Sequence, residues 1–91
     1  MEFEWDEVER ETNLVKHGFD FLDAAMLFED RMVFTEARDG MTGEARWAGT
    51  GLLDGRFVTV IFTRRGHAVR VISLRRARGN ARSRYQALHF S

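Results

Sequence analysis

Ninety-one residues make one domain with one modest core, and a 44% hydrophobic content with eight Phe and two Trp is enough to fill it. The chain has no Cys, which excludes a disulfide framework and a thiolate metal site. No apolar run approaches the length of a membrane span, and the acidic start Met1-Glu2-Phe3-Glu4-Trp5-Asp6 does not read as a signal peptide, so the expected location is the cytoplasm.

The zero formal charge hides an asymmetry. Residues 1–55 hold all 14 acidic residues and only Arg10, Lys16, Arg31, Arg38 and Arg46 as basic ones, a net of −9. Residues 56–91 hold nine Arg and no Asp or Glu, a net of +9 with His neutral. An acid-free half rich in Arg, the side chain suited to bidentate phosphate contacts, points to an anionic partner. The alternative is that the two halves neutralise each other across the fold.

Phe3-Glu4-Trp5 reads as a short strand. Asp6 is a helix N-cap with Glu9 three residues on. Val8, Thr12 and Val15, widened by Leu14, predict a helix over 7–17 that buries this stripe. Lys16 and His17 suit its last turn, and Gly18 its C-terminal cap. Asp20 opens a second helix with Phe21, Ala24, Ala25 and Phe28 on one side and Leu27 adjacent. Residues 31–35 read as a strand and 37–43 as a polar loop.

Residues 45–52 form a strand interrupted by Gly49 and Gly51, which suggest a bulge or a close backbone approach. Asp54-Gly55 is a hairpin turn, followed by a strand over 56–63, a turn at Arg65-Gly66 and a strand over 67–74. In that last strand strict alternation puts Val69 and Val71 on one side and Ala68, Arg70, Ile72 and Leu74 on the other. Asn80 caps a final helix over 81–88. The expected architecture is one α+β domain over 1–91: an antiparallel sheet of about four strands packed by two N-terminal helices and one C-terminal helix.

The chain resembles a known family. Phe3-Glu4-Trp5-Asp6, Asn13, Lys16-His17-Gly18, Phe21, Ala24-Ala25 and Phe28-x-Asp30 are similar to the amino-terminal half of BrnT toxins. Glu44-x-Arg46, Gly49, Gly55-Arg56, Thr63-x-Arg65, Arg70-Val71-Ile72-Ser73-x-Arg75-Arg76-Ala77 and Tyr85 resemble the second half. The resemblance implies a RelE-like fold and metal-independent RNA cleavage that stops translation. It also implies neutralisation by a BrnA antitoxin with a ribbon-helix-helix domain, operator DNA being bound only through that complex.

Cleaving RNA without a metal needs a base for the 2′-hydroxyl, cations for the charge developing on phosphate, and an acid for the leaving oxygen. Lys16, His17, Glu44, Arg70 and Arg75 are the catalytic candidates. The alternative for His17 is a helix C-cap that hydrogen-bonds loose carbonyls, and for Glu44 a solvated carboxylate. His67 reads as solvated at a turn, and His89 as lying near a frayed terminus. Arg70, mid-strand in an apolar row, either pairs with an acid such as Glu44 or opens into a phosphate groove.

Arg46, Arg65, Arg76, Arg78, Arg82 and Arg84, with Tyr85 as an aromatic platform, are the candidate RNA-binding residues. No metal site and no cofactor are expected. Two other functions fit the same basic segment: a non-catalytic nucleic-acid-binding module, and a protein-interaction domain docking an acidic partner.

Overall fold

The computed structural model describes residues 1–37 and 45–90. The elements, in chain order, are β1 (Glu2–Glu4), α1 (Glu7–His17), a 3₁₀ turn (Phe21–Asp23) running into α2 (Ala24–Leu27), β2 (Val33–Ala37), β3 (Arg46–Leu53), β4 (Arg56–Arg65), β5 (Ala68–Arg76) and α3 (Gly79–Phe90). The class is α+β. Of the expected loop at 37–43, Ala37 instead closes β2, and residues 38–43 lie outside the described residues, as does Glu44.

The sheet has five strands, not four, in the order β1-β5-β4-β3-β2. Strands β2 to β5 form the expected antiparallel meander. The N-terminal strand adds itself parallel to β5, with Phe3 opposite Val69. Phe3 and the adjoining Trp5 explain why: Phe3 packs edge-on against Phe28 and Trp5 against Phe21, so the strand and the residue after it are anchored to the core. The β3–β4 hairpin turns at Asp54 (φ 52°) and Gly55 (φ 78°), the paired positive φ values of a tight primed turn.

A bulge breaks the alternation expected in β5. Phe62 pairs with Val71 but Ile61 pairs with Ser73, which leaves Ile72 as the extra residue. Leu74 therefore joins Val69 and Val71 on the core face, and Arg70 is not in its row. Past the bulge, Ser73 and Arg75 face the same side as Arg70.

One face of the sheet, here the inner face, carries Val58, Val60, Phe62, Val69, Val71 and Leu74 against Phe21, Ala24 and Leu27. The second helix is thus a 3₁₀ turn plus a short α-helix, with Leu27 rather than Ala25 buried. The opposite, outer face is crossed by α3, whose Tyr85 packs edge-on against Phe57 with ring centroids 5.6 Å apart. Along the outer face Thr50, Thr59 and Thr63 are buried, while Ala48 and Ile61 stay partly exposed.

The first helix corrects its predicted stripe. Val8 is 71% and Val15 89% exposed. Polar contacts attach α1 instead: Arg10 grips Asp20 through Nε and Nη2, at 2.8 and 3.0 Å, and Asn13 is buried. The caps are as expected, Asp6 accepting from the Val8 and Glu9 N–H groups and Gly18 N–H closing on Leu14 O. At the other end of the chain, α3 starts at Gly79, so Asn80 lies inside its first turn and accepts from Ala81 N–H.

Candidate nucleic-acid interface and active site

The register of the sheet decides which arginines can act together. On the outer face Arg75 stands opposite Thr59, Ser73 opposite Ile61, and Arg70 opposite Thr63. Arg46 and Arg65 have the same parity, so they share that face. Arg70 and Arg75 are separated along the strand by about 13 Å, the length of the four β4 residues from Thr59 to Thr63. Between them lies a partly exposed floor of Ala48 and Ile61. Arg76 turns to the inner side opposite Val58, and so does Arg64 opposite Val69.

Pairing distinguishes the members of this group. Arg70 donates to Glu4 Oε2 at 3.0 Å, so among the described residues it is paired, with a carboxylate of β1; Glu44 lies outside them. Arg75 is half-buried and has no carboxylate partner among the described residues. Burial lowers the pKa of its guanidinium from the ordinary value, and the nearby Arg78 charge pushes the same way. A guanidinium stays charged under any physiological condition, so the direction marks a cation set in partly desolvated surroundings beside a like charge. Arg56, Arg64, Arg76, Arg78, Arg82 and Arg84 are all exposed and also lack an ion pair among the described residues.

Lys16 and His17 sit beyond the sheet's β5 edge. With Val8, Glu9, Thr12, Asn13, Ile72 and Ser73 they line a groove of about 240 Å³ between α1 and the bulge. The structure therefore brings them to Ser73, two residues before Arg75 on the same strand face. Asn13, not singled out from sequence as a functional residue, holds that junction by accepting from Ser73 Oγ and Leu74 N–H.

Tyr85 is turned inward. It is 3% exposed and its hydroxyl donates to Asp30 Oδ2 at 2.9 Å, so it anchors α3 and offers no open face for stacking. Burial raises its pKa, and the bond to Asp30 adds to the rise. His89 is not frayed: its Nε2 lies 2.6 Å from Arg31 O and its ring 4.3 Å from that of Tyr85. His67 is exposed, as expected. Arg56, overlooked from sequence, lines a groove with Arg76 and Arg82 because the hairpin turn delivers it to the end of β5. Its place straight after Asp54-Gly55 was the available signal.

Among the described residues no three of His, Asp and Glu gather in a way that could hold a metal ion, and no helix is long and apolar enough to cross a membrane. No curated protein matches the chain. A family model does, over residues 5–80: that of the ribonuclease toxin BrnT of type II toxin–antitoxin systems. The match covers the whole of α1 through the end of β5, which includes the outer-face arginines, and such a toxin implies an RNA substrate and an antitoxin partner. This chain belongs to the BrnT family of ribonuclease toxins.

Proposed function

We propose that the chain is an endoribonuclease that cuts single-stranded RNA on the outer face of its sheet without a metal ion. The observation that carries this reading is Arg75, a half-buried guanidinium with no carboxylate partner among the described residues. In water-poor surroundings an unpaired cation is costly unless an anion meets it, and a phosphate supplies two oxygens for its fork. Arg75 polarises the scissile phosphate; Arg46, Arg65 and Arg70 guide the flanking backbone on the same face. In this reading His17 or Lys16, at the neighbouring groove, serves proton transfer.

The reaction balances without a cofactor. The 2′-oxygen attacks phosphorus as a base takes its proton. The bond to the 5′-oxygen breaks, and that oxygen receives a proton from the acid. The products are a 2′,3′-cyclic phosphate and a 5′-hydroxyl end. Glu44, outside the described residues, stays in the proposal as the alternative base. With this activity go a RelE-like arrangement, arrest of translation in the cytoplasm, and a BrnA-type ribbon-helix-helix antitoxin that masks the basic surface.

Incubating the purified chain with single-stranded RNA in EDTA tests this reading. Cleavage that Arg75→Ala lowers by about 10²–10³-fold, the usual effect of losing one preorganised donor to a developing oxyanion, is the expected result. Salt-sensitive binding with no products would instead make the chain a nucleic-acid-binding module.

A further inference from the structure

Where β4 begins and β5 ends, a groove of about 370 Å³ is lined by Gly55, Arg56, Phe57, Arg76, Ala77 and Arg82. Its floor is fixed. Ala77 N–H donates to Phe57 O at 2.9 Å, which carries the strand pairing into the β5–α3 junction. Phe57 is braced by the edge of Tyr85. The guanidinium carbon of Arg82 stands 4.9 Å over the Phe57 ring, a cation–π contact, and Arg82 is an exposed residue that a second planar group can reach. Arg56 also borders a neighbouring cleft that contains Asp54, yet the two make no ion pair.

Three exposed guanidiniums around one aromatic ring repel each other, and an anion between them removes that cost. We infer that this groove is a second RNA subsite, in which Arg56 and Arg76 hold a backbone phosphate while Arg82, backed by Phe57, stacks on a base. The inference rests on the reading of Arg75 as the residue at the scissile phosphate. Arg76 follows Arg75 directly but faces the other way, so a strand held at Arg75 continues around the end of the sheet into the groove. The substrate class is then single-stranded RNA that runs several nucleotides past the cut. A duplex is unsuited, because its bases stack on one another and offer no face to Arg82.

Non-cleavable 2′-O-methyl RNA separates this binding from catalysis. In fluorescence anisotropy, a strand of about twelve nucleotides binds about tenfold or more tightly than one of about four, since phosphate contacts and stacking accumulate along the strand. Arg56→Ala combined with Arg82→Ala removes most of that advantage. Arg82→Lys keeps the salt dependence but binds more weakly, and replacing the stacked base by an abasic unit erases the difference between Arg82→Lys and the native chain. Equal binding of the long strand by the double variant and the native chain, both folded by circular dichroism, overturns the inference. So does displacement of the long strand by polyglutamate of equal charge as readily as by RNA, which would make the groove an acidic-protein site. Cleavage of unmodified RNA in EDTA is scored alongside: cleavage with no length dependence sinks the groove alone, and length dependence with no cleavage sinks the catalytic reading alone.

Discussion

The side-chain amide of Asn13 makes both backbone hydrogen bonds of Leu74: Nδ2 donates to Leu74 O at 2.8 Å and Oδ1 accepts from Leu74 N–H at 3.1 Å. Strand β1 ends opposite Arg70, so the edge of β5 beyond it has no neighbouring strand. Asn13 takes the place of the missing residue. Nδ2 also donates to Phe19 O, which ties the chain leaving α1 to the same point.

Asn13→Ala leaves the buried N–H and C=O of Leu74 unpaired beside the core. Unpaired buried polar groups cost about 1–3 kcal/mol each, so a loss of roughly 2–4 kcal/mol is expected in urea unfolding, with partial relief from water. Asn13→Asp keeps the acceptor and loses the donor, and it adds a buried charge, so it should be no better than Ala. A loss under about 0.5 kcal/mol for Asn13→Ala, the level of an ordinary surface change, would mean that the edge pairing is dispensable.

Asp30 and Tyr85 couple stability to pH in opposite directions. Burial works to raise the Asp30 pKa, but the Leu52 N–H, the Tyr85 hydroxyl and the Arg31 N–H together outweigh it and hold the pKa below its ordinary value. Stability from Asp30 is therefore present above the unfolded carboxylate pKa of about 3.9 and is lost as pH falls through the lower folded value. Tyr85 runs the other way. Its folded pKa is raised, so its contribution is whole below about pH 10 and disappears as pH climbs through the folded value. Thermal melts across both ranges should show a loss at each end, and Tyr85→Phe should abolish the alkaline one. An unchanged alkaline limb in Tyr85→Phe would separate Tyr85 from it.

Local signals in the sequence match the structure where one residue type has one physical use. Asp6 and Gly18 bound α1 because a short acceptor and a Cβ-free residue suit the two ends of a helix, and Asp54-Gly55 turns because both positions take positive φ. Spacing misled where the attachment is polar. Val8 and Val15 keep helical period but face outward, because Arg10 and Asn13 anchor α1 by charge and hydrogen bonds that no hydrophobic pattern reports. The parallel pairing of β1 with β5 joins residues more than sixty positions apart, and the extra residue at Ile72 reverses the expected facing of Leu74. For the site, the arginine-rich half was visible from composition. Which arginines share a face, and that Glu4 engages Arg70 while Arg75 stays without an acid among the described residues, depended on register.

Gly51 and Gly49 should respond differently to a methyl group. A Cβ on Gly51 would lie 2.7 Å from Asp30 Oδ2, 2.9 Å from Met32 Cγ and 3.2 Å from Leu27 Cδ1. Asp30 is already fixed by Leu52 N–H and Tyr85, and Leu27 is fully buried, so neither can retreat. Gly51→Ala is expected to cost about 1–3 kcal/mol, the range for overpacking. On Gly49 the nearest atoms are Met32 Sδ and Phe34 Cε1, both at 3.0 Å, and Phe34 is about half exposed and can swing aside. Gly49→Ala should therefore cost less in the same denaturant titration. The reverse ranking would show that the Asp30 cluster is looser than its hydrogen bonds imply.

The Glu4–Arg70 pair shows whether a carboxylate from the acidic N-terminal half limits RNA binding on the outer face. Both side chains are partly exposed, Arg70 at 25% and Glu4 at 39%, so the pair contributes little to stability, and Glu4→Gln should change it by less than about 1 kcal/mol. The same change removes the negative charge that competes with phosphate for the Arg70 guanidinium. Glu4→Gln is expected to raise affinity for 2′-O-methyl RNA at low salt by several-fold, whereas Arg70→Ala should lower it and reduce the slope of log affinity against log salt by about 0.7, the value for one phosphate on a single strand. Cleavage should follow a different order, with Arg70→Ala milder than Arg75→Ala, because Arg70 guides the backbone and Arg75 meets the reacting phosphate. If neither Glu4→Gln nor Arg70→Ala moves affinity or its salt slope, Arg70 only fastens β1 to β5, and the RNA path must run closer to Arg75 and α3.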